Sequence, residues 1–294
     1  MTAATGATQT AADGDPLALL PGSAIAVIGV DAKAMYASGA VGSMIGSFAD
    51  TYVPLGDDAG FQASRDVDHV FLGAYASSSA DVAIVLVGRF DTAKISNATR
   101  TKAGGALVKG TYAGFVTQTS GPITVAPLTA KTLIGGTTER VHRVLDRLGP
   151  SQPALQRAVP PWVASTLASQ GAQFAVAADF STQPIASAAI GSINLTFVQG
   201  LRMIRGIGDF DAPGLNVAAT LTYGDATQAQ SAADNMHMMD NWQKLLAPLL
   251  LGAKLSNFQV GTSDADVSCK FALDEGSLQA LLTLATKYLQ PPAP

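Results

Sequence analysis

The sequence predicts an α+β fold of two tandem pseudo-repeats, each reading β-α-β-β-α-β-β-α, with mostly antiparallel sheet and helices on one face. Three observations predict it. Short apolar runs occur in pairs joined by polar or Gly/Pro-containing clusters, the pattern of successive hairpins. Stretches with apolar residues at helical spacing separate those pairs. Sliding the chain by 149 residues lays Ala37–Phe48 on Ala186–Phe197, and from Ala24 to Phe48 the two copies share 8 of 25 residues.

In the first half, Ala24–Val30 is a buried strand, and Lys33 to about Thr51 is a helix striped by Val41, Met44, Ile45, Phe48 and Tyr52. His69–Tyr75 and Val82–Phe90 are strands joined by the polar run from Ala76 to Asp81. Asp91 caps a helix beginning at Thr92, because its carboxylate can accept the free amide N–H groups of a first turn. Tyr112–Thr119 and Ile123–Leu128 form a hairpin across Ser120-Gly121-Pro122, followed by a strand from Thr132 to Gly135. Thr137 or Thr138 then starts a helix carrying Val141, Val144, Leu145 and Leu148.

The second half repeats that order: strand Phe174–Asp179, helix Ile185–Val198, and strands Arg202–Phe210 and Leu215–Tyr223 across Asp211-Ala212-Pro213-Gly214. Asp225 and Gln228 make a capping-box-like start to a helix reaching about Leu251. Asn257–Thr262 and Asp266–Leu273 form the last hairpin, and Leu278, Leu281, Leu282, Ala285 and Leu289 stripe the last helix. The Pro/Gly punctuation after Gly149 divides the chain into a disordered tether (1–15), a first repeat (16–150), a second repeat (151–289) and a tail (290–294). Gly39, Gly42 and Gly46 share one face of the first helix, which implies close approach by another backbone. On that reading Gly42→Leu overpacks the contact while Gly42→Ala is mild.

Composition narrows the function. Charged residues are 14% of the 294, against roughly 25% in an average globular protein, and apolar residues are 48%. Net charge is −4 with no basic stripe, which argues against nucleic-acid binding. No stretch is long and apolar enough to span a bilayer, so no transmembrane span is expected in the folded part. The Thr/Ala-rich opening and the sparse charge read as the tether of an exported protein. One cysteine forbids an intramolecular disulfide, and alternation places Cys269 with Val267 and Phe271 on the buried face of a strand.

No nucleophile elbow, His-Glu-x-x-His or Walker loop occurs, and neither a metal nor a cofactor is expected. Among the three histidines, His69 alone has acidic company: Asp66, Asp68 and His69 fall within four residues and have the chemistry of a general base or divalent-ion cluster. Alternation along the strand points Asp68 and His69 to opposite faces. The Met-rich helix is the better binding candidate. Met236, Met239 and Trp242 form one stripe, and Met238 and Leu245 widen it beyond what one core face requires. Unbranched methionine repacks around varied apolar partners.

The run Pro21-Gly-Ser-Ala-Ile-Ala-Val-Ile-Gly-Val-Asp31 and the strand ending Val87-Gly-Arg-Phe-Asp91 resemble uncharacterised exported, lipoprotein-like bacterial proteins. That resemblance implies a cell-envelope location, periplasmic or tethered to the outer membrane, and no reaction. The expected function is non-enzymatic binding of an apolar small molecule or a protein partner. One alternative is a hydrolase or metal-dependent enzyme built on Asp66, Asp68 and His69; another is a structural or assembly component.

Overall fold

The computed structural model describes residues 12–52, 54–76, 81–149, 155–169, 171–185, 189–190, 193–194, 196–246, 255–280 and 283; for 40–41, 51–52, 189–190, 193–194 and 239–246 it describes the backbone alone. The fold is α+β, with twelve strands in antiparallel sheet. Two compact units divide it: Met1–Ala34 with Gly46–Ala168, and Met35–Ile45 with Ser169–Pro294.

The first unit holds strands β1 (Ala26–Asp31), β2 (Val67–Ala74), β3 (Val82–Gly88), β4 (Val108–Tyr112), β5 (Phe115–Ser120), β6 (Ile123–Pro127) and β7 (Thr132–Thr137). They pair antiparallel in the order β1-β2-β3-β7-β6-β5-β4. Helices α1 (Ala32–Tyr36), α2 (Gly39–Tyr52) and α3 (Ala63–Asp66) fall between β1 and β2 in sequence. Then come α4 (Thr92–Asn97), α5 (Thr138–Asp146) and α6 (Pro161–Leu167). Alternation along the strands buries Val27, Ala83, Val85 and Ile134, each at most 2% exposed. Helix α5 packs on β7, β6 and β3, with Val141, Val144 and Leu145 buried at the expected helical spacing. Asp91 caps α4 as predicted: its Oδ1 accepts from the Lys94 amide at 3.0 Å.

Two expectations change here. Tyr112–Thr119 is not one strand, because Ala113 and Gly114 both take positive φ (49° and 85°) and turn the chain into a β4–β5 hairpin. Two successive positive φ values are what a two-residue hairpin turn requires. Glycine signals such a turn in a sequence, and alanine conceals it. The expected tether also stops short of Asp15. Ala12 is buried, Asp13 Oδ1 accepts from the Thr129 and Thr132 hydroxyls (2.6 and 2.7 Å), and Asp15 pairs with Arg157 at 2.7 Å.

The ends of this unit are fastened by one charged cluster. Arg140 on α5 grips Asp81 with Nε, 2.8 and 3.0 Å from its two oxygens, and with Nη2, and the Thr137 hydroxyl donates to the same carboxylate at 3.0 Å. The Arg140 guanidinium lies 4.2 Å over the Tyr75 ring, whose hydroxyl donates to the Pro21 carbonyl at 3.1 Å.

The second unit contains β8 (Phe174–Asp179), the small hairpin β9 (Ala189–Ile190) and β10 (Ile193–Asn194), β11 (Leu201–Asp209), β12 (Gly214–Tyr223), β13 (Leu255–Ser263) and β14 (Asp266–Asp274). Its main sheet runs β13-β14-β12-β11-β8, antiparallel throughout. Each unit therefore orders its core strands first-second-third-fifth-fourth, with β5 and β4 added outside β6 in the first. Helix α7 (Ala226–Leu246) falls between β12 and β13, and residues 275–280 are helical after β14. Met44 and Ile45 of α2 pack, with Phe210 and Phe271, against the cluster of Leu273 and Leu278.

The helix expected over Ile185–Val198 does not form. Its described parts are the β9–β10 hairpin and a 3-10 turn at Thr196–Val198. The segment carries Ile185, Ile190, Ile193, Thr196 and Val198, whose β-branched side chains favour strand over helix. The glycine face of α2 meets expectation in part, since backbone of Met35 and Tyr36 does approach Gly42 closely. Gly39 has φ +67° and starts the helix rather than sitting inside it. At Gly42 a Cβ would collide with the carbonyl oxygens of Met35 and Tyr36, so alanine is not mild there. Gly191 lies outside the described residues.

Two outcomes follow from these contacts. Gly42→Ala should lower the urea unfolding free energy by about 1–3 kcal/mol, because backbone rather than a flexible side chain blocks the methyl; parental stability would contradict the contact. The Arg140 guanidinium, followed by the Thr137 hydroxyl, holds the Asp81 carboxyl below the usual carboxylate range against the opposing effect of burial. A depressed native pKa stabilises above the unfolded value and loses that stabilisation as pH falls through the native one. Asp81→Asn should therefore lower stability by about 1–3 kcal/mol at pH 7. The difference from the parent should narrow below about pH 4, as a urea-denaturation series across pH would register.

Candidate functional site

Helix α7 is placed by its sequence before any ligand is considered. Asp225 Oδ1 accepts from the Gln228 amide at 2.8 Å, and Gln228 Oε1 accepts in return from the Gly224 amide at 3.2 Å. That reciprocal arrangement satisfies amides that a helix start leaves free. Ala229, Ala232, Ala233 and Met236 recur at i, i+3, i+4 and i+7 and are buried against Leu221, Tyr223, Val267 and Cys269. The Tyr223 hydroxyl donates to the Phe197 carbonyl at 2.7 Å and joins the Thr196–Val198 turn to the sheet. Burial raises the pKa of both the Tyr223 hydroxyl and the Cys269 thiol, so both stay protonated and inert at neutral pH.

Two adjoining grooves open beside the first half of α7. One, of about 350 Å³, is lined by Phe180, Pro184, Ile185, Leu201 and Arg202. The other, of about 330 Å³, is lined by Thr196 and Gln199 and by Thr227, Ser231 and Asn235 of α7. Both are bounded by Gly200 and Gln228. Gly200 has φ +76°, and a Cβ there would stand 2.5 Å from Gln228 Oε1, so glycine lets the chain pass close to the helix start. Phe180 and Ile185 are only partly buried at the margin of the core, which gives the first groove an apolar wall. Arg202 is the one charged side chain among the described lining residues.

The predicted binding residues divide. Met236 is 6% exposed and belongs to the core, whereas Met238 is 51% exposed on the outward side. The side chains of Met239, Trp242 and Leu245 lie outside the described residues. The groove residues gave little sequence signal beyond Gln228 of the capping box. Phe180, Ile185 and Leu201 sit around a segment expected to be helical, and its true path brings them together.

Asp66, Asp68 and His69 are not assembled into one site. Asp66 closes α3, where Arg65 Nε and Nη2 each donate to it at 2.7 Å and the Gln62 amide at 2.9 Å. Partial burial raises its pKa, but Arg65 and the Gln62 amide outweigh that and hold the carboxyl below its ordinary range. Its oxygens are occupied and ionised, unlike those of a poised acid or base. His69 faces Asp31 across the β1–β2 pair, with Nδ1 4.0 Å from its carboxylate. Among the described residues, no group of three or more His, Cys, Asp or Glu is placed to hold a metal ion. Among them, too, no helix is long and apolar enough to cross a membrane.

A scan against protein-family models finds no match, and neither does a search of the curated proteins. Solved structures do match in fold. Crystal form I of TP0453 aligns over 92% of this chain and 97% of its own at 13% identity, with a TM-score of 0.57. Crystal form III aligns over 92% and 98% at 14% identity and a TM-score of 0.58. Form IV aligns over 92% and 96% at 12% identity and a TM-score of 0.54. The likeness is one of fold across nearly the whole of both chains.

The two methionines give a direct check on how α7 is seated. Met236→Ala should destabilise by about 2–4 kcal/mol through a cavity under the helix. Met238→Ala should change stability by less than about 0.5 kcal/mol. Equal effects in urea denaturation would mean that the inward face is misassigned.

Proposed function

We propose that this chain is a non-enzymatic binding protein of the cell envelope, and that its ligand is an apolar small molecule held beside the first half of α7. The observation that carries the reading is the groove of about 350 Å³ walled by Phe180, Pro184, Ile185 and Leu201. Its volume falls within the range of about 300–1,000 Å³ usual for small-molecule sites. The apolar wall supplies the driving force, and Gln228 and Arg202 supply a polar mouth. The envelope location rests on the sparse charge of the chain and on its resemblance to exported proteins.

We also read the two units as tandem pseudo-repeats, on the strength of their shared five-strand order. On that reading the groove is a property of the second repeat. Where the first has helices α1–α3 between its first two strands, the second has the segment that forms the groove wall.

N-Phenyl-1-naphthylamine, whose fluorescence rises in apolar surroundings, tests the site. The parent should show a saturable rise. Ile185→Lys should weaken binding at least tenfold while keeping the parental circular-dichroism spectrum. A parent without saturable signal, or a folded Ile185→Lys protein that binds like the parent, would overturn the reading.

A further inference from the structure

The opposite face of the second sheet holds a larger groove, of about 490 Å³, with different chemistry. Strand alternation sets this face apart from the α7 side: Lys270 and Ala272 point away from Val267 and Cys269, which α7 covers. In the ladder, Asp209 stands beside Asn216 and Asn216 beside Ala272. One step along, Ile207, Ala218, Lys270 and Gln259 form a second row. The floor is made by Ile207, Ala218 and Ala272, Gly208, Val217 and Phe271 also line the groove, and the rim carries amides, one amine and one carboxylate. From β11 to β13 the groove crosses three strand spacings, roughly 14 Å.

The rim is shaped by a bulge. The β13–β14 register slips between Ser256 and Gln259, and Asn257 in that bulge has φ +53°, in the left-handed region. The bulge brings Asn257 and Gln259 to the same groove, where neither side chain makes a hydrogen bond among the described residues. Both side-chain amides are exposed and available to a ligand in the groove. Lys270 is exposed and has no ion-pair partner among the described residues. At the far end, Asp209 Oδ1 accepts from Asn216 Nδ2 at 2.8 Å and from the Asp211 amide at 3.1 Å. Its Oδ2 and the Asn216 side-chain carbonyl are left as acceptors.

We infer that this groove binds an acidic saccharide of about two sugar units, its carboxylate at Lys270 and its neutral end at Asp209. Ala218 and Ala272 leave room beside Ile207 for the face of a sugar ring. Across β11, β12 and β14 the groove is floored by strands paired on both sides, and only β13 at the sheet's edge offers an extended peptide unpaired backbone. Asn257 and Gln259 both donate and accept, as vicinal hydroxyls require. The carboxylate of Asp209 repels a second acid at its own end, which fixes the polarity of the ligand. This site is independent of the apolar groove beside α7.

Cellobiouronate, cellobiose and acetyl-Glu-Gly-amide are the probes, titrated by calorimetry against the full chain. Cellobiouronate should bind saturably and cellobiose at least tenfold more weakly. Lys270→Met, which keeps the length of the side chain and sits on an exposed strand position, should weaken cellobiouronate at least tenfold and leave cellobiose unchanged. A smaller loss, or no saturable binding of cellobiouronate, would overturn the inference. The acidic peptide binding as tightly as cellobiouronate would overturn the saccharide assignment.

Discussion

Ala229, Ala232, Ala233 and Met236 set how closely helix α7 lies on Leu221, Tyr223, Val267 and Cys269, and the features of the second unit depend on that contact. Alanine side chains bring the helix axis near the sheet because they interpose little volume. The helix therefore covers the strands and leaves open the space beside its first half. Phe180, Ile185 and Phe197 reach the core margin there but are not sealed by it. A groove with an apolar wall is the direct consequence. Larger residues at Ala232 or Ala233 would lift the helix and merge groove and core, losing the dispersion contacts that hold both.

The first unit solves the same strand order differently. Its helix after the third strand, α4, is six residues long where α7 has twenty-one, and β4 and β5 extend the sheet beyond β6. Its integrity relies more on polar fastening: Arg140 to Asp81, Asp13 to two threonines, and Arg147 to the Ala18 and Gln156 carbonyls. Charge-assisted bonds of this kind are geometrically demanding, so they fix the path of the chain as well as stabilise it. Few charges are present in the sequence, and several of them tie one part of the chain to another.

Much of the fold was legible because it is written in alternation and caps. Phe174–Asp179 is predicted to the residue, and the α4 and α7 starts follow from Asp91, Asp225 and Gln228. What was illegible has physical causes. Similarity at an offset of 149 carried a helix onto Ile185–Val198, although its β-branched residues favour the β9–β10 pairing found there. The β4–β5 turn was hidden by an alanine at positive φ. Most of the groove was unreadable because Phe180, Ile185 and Leu201 converge only through that misread segment. The methionine pattern misled in part: Met236 is seated in the core, and the alanines beside it carry the signal of a closely packed helix.

Native mass spectrometry of the protein, released gently from its purification buffer, tests the binding account most directly. The account predicts a folded species carrying an additional apolar small molecule, which dissociates on collisional activation and is missing from the Ile185→Lys protein. The parent chain at its bare mass alone, after incubation with a total lipid extract of the source cells, would contradict it.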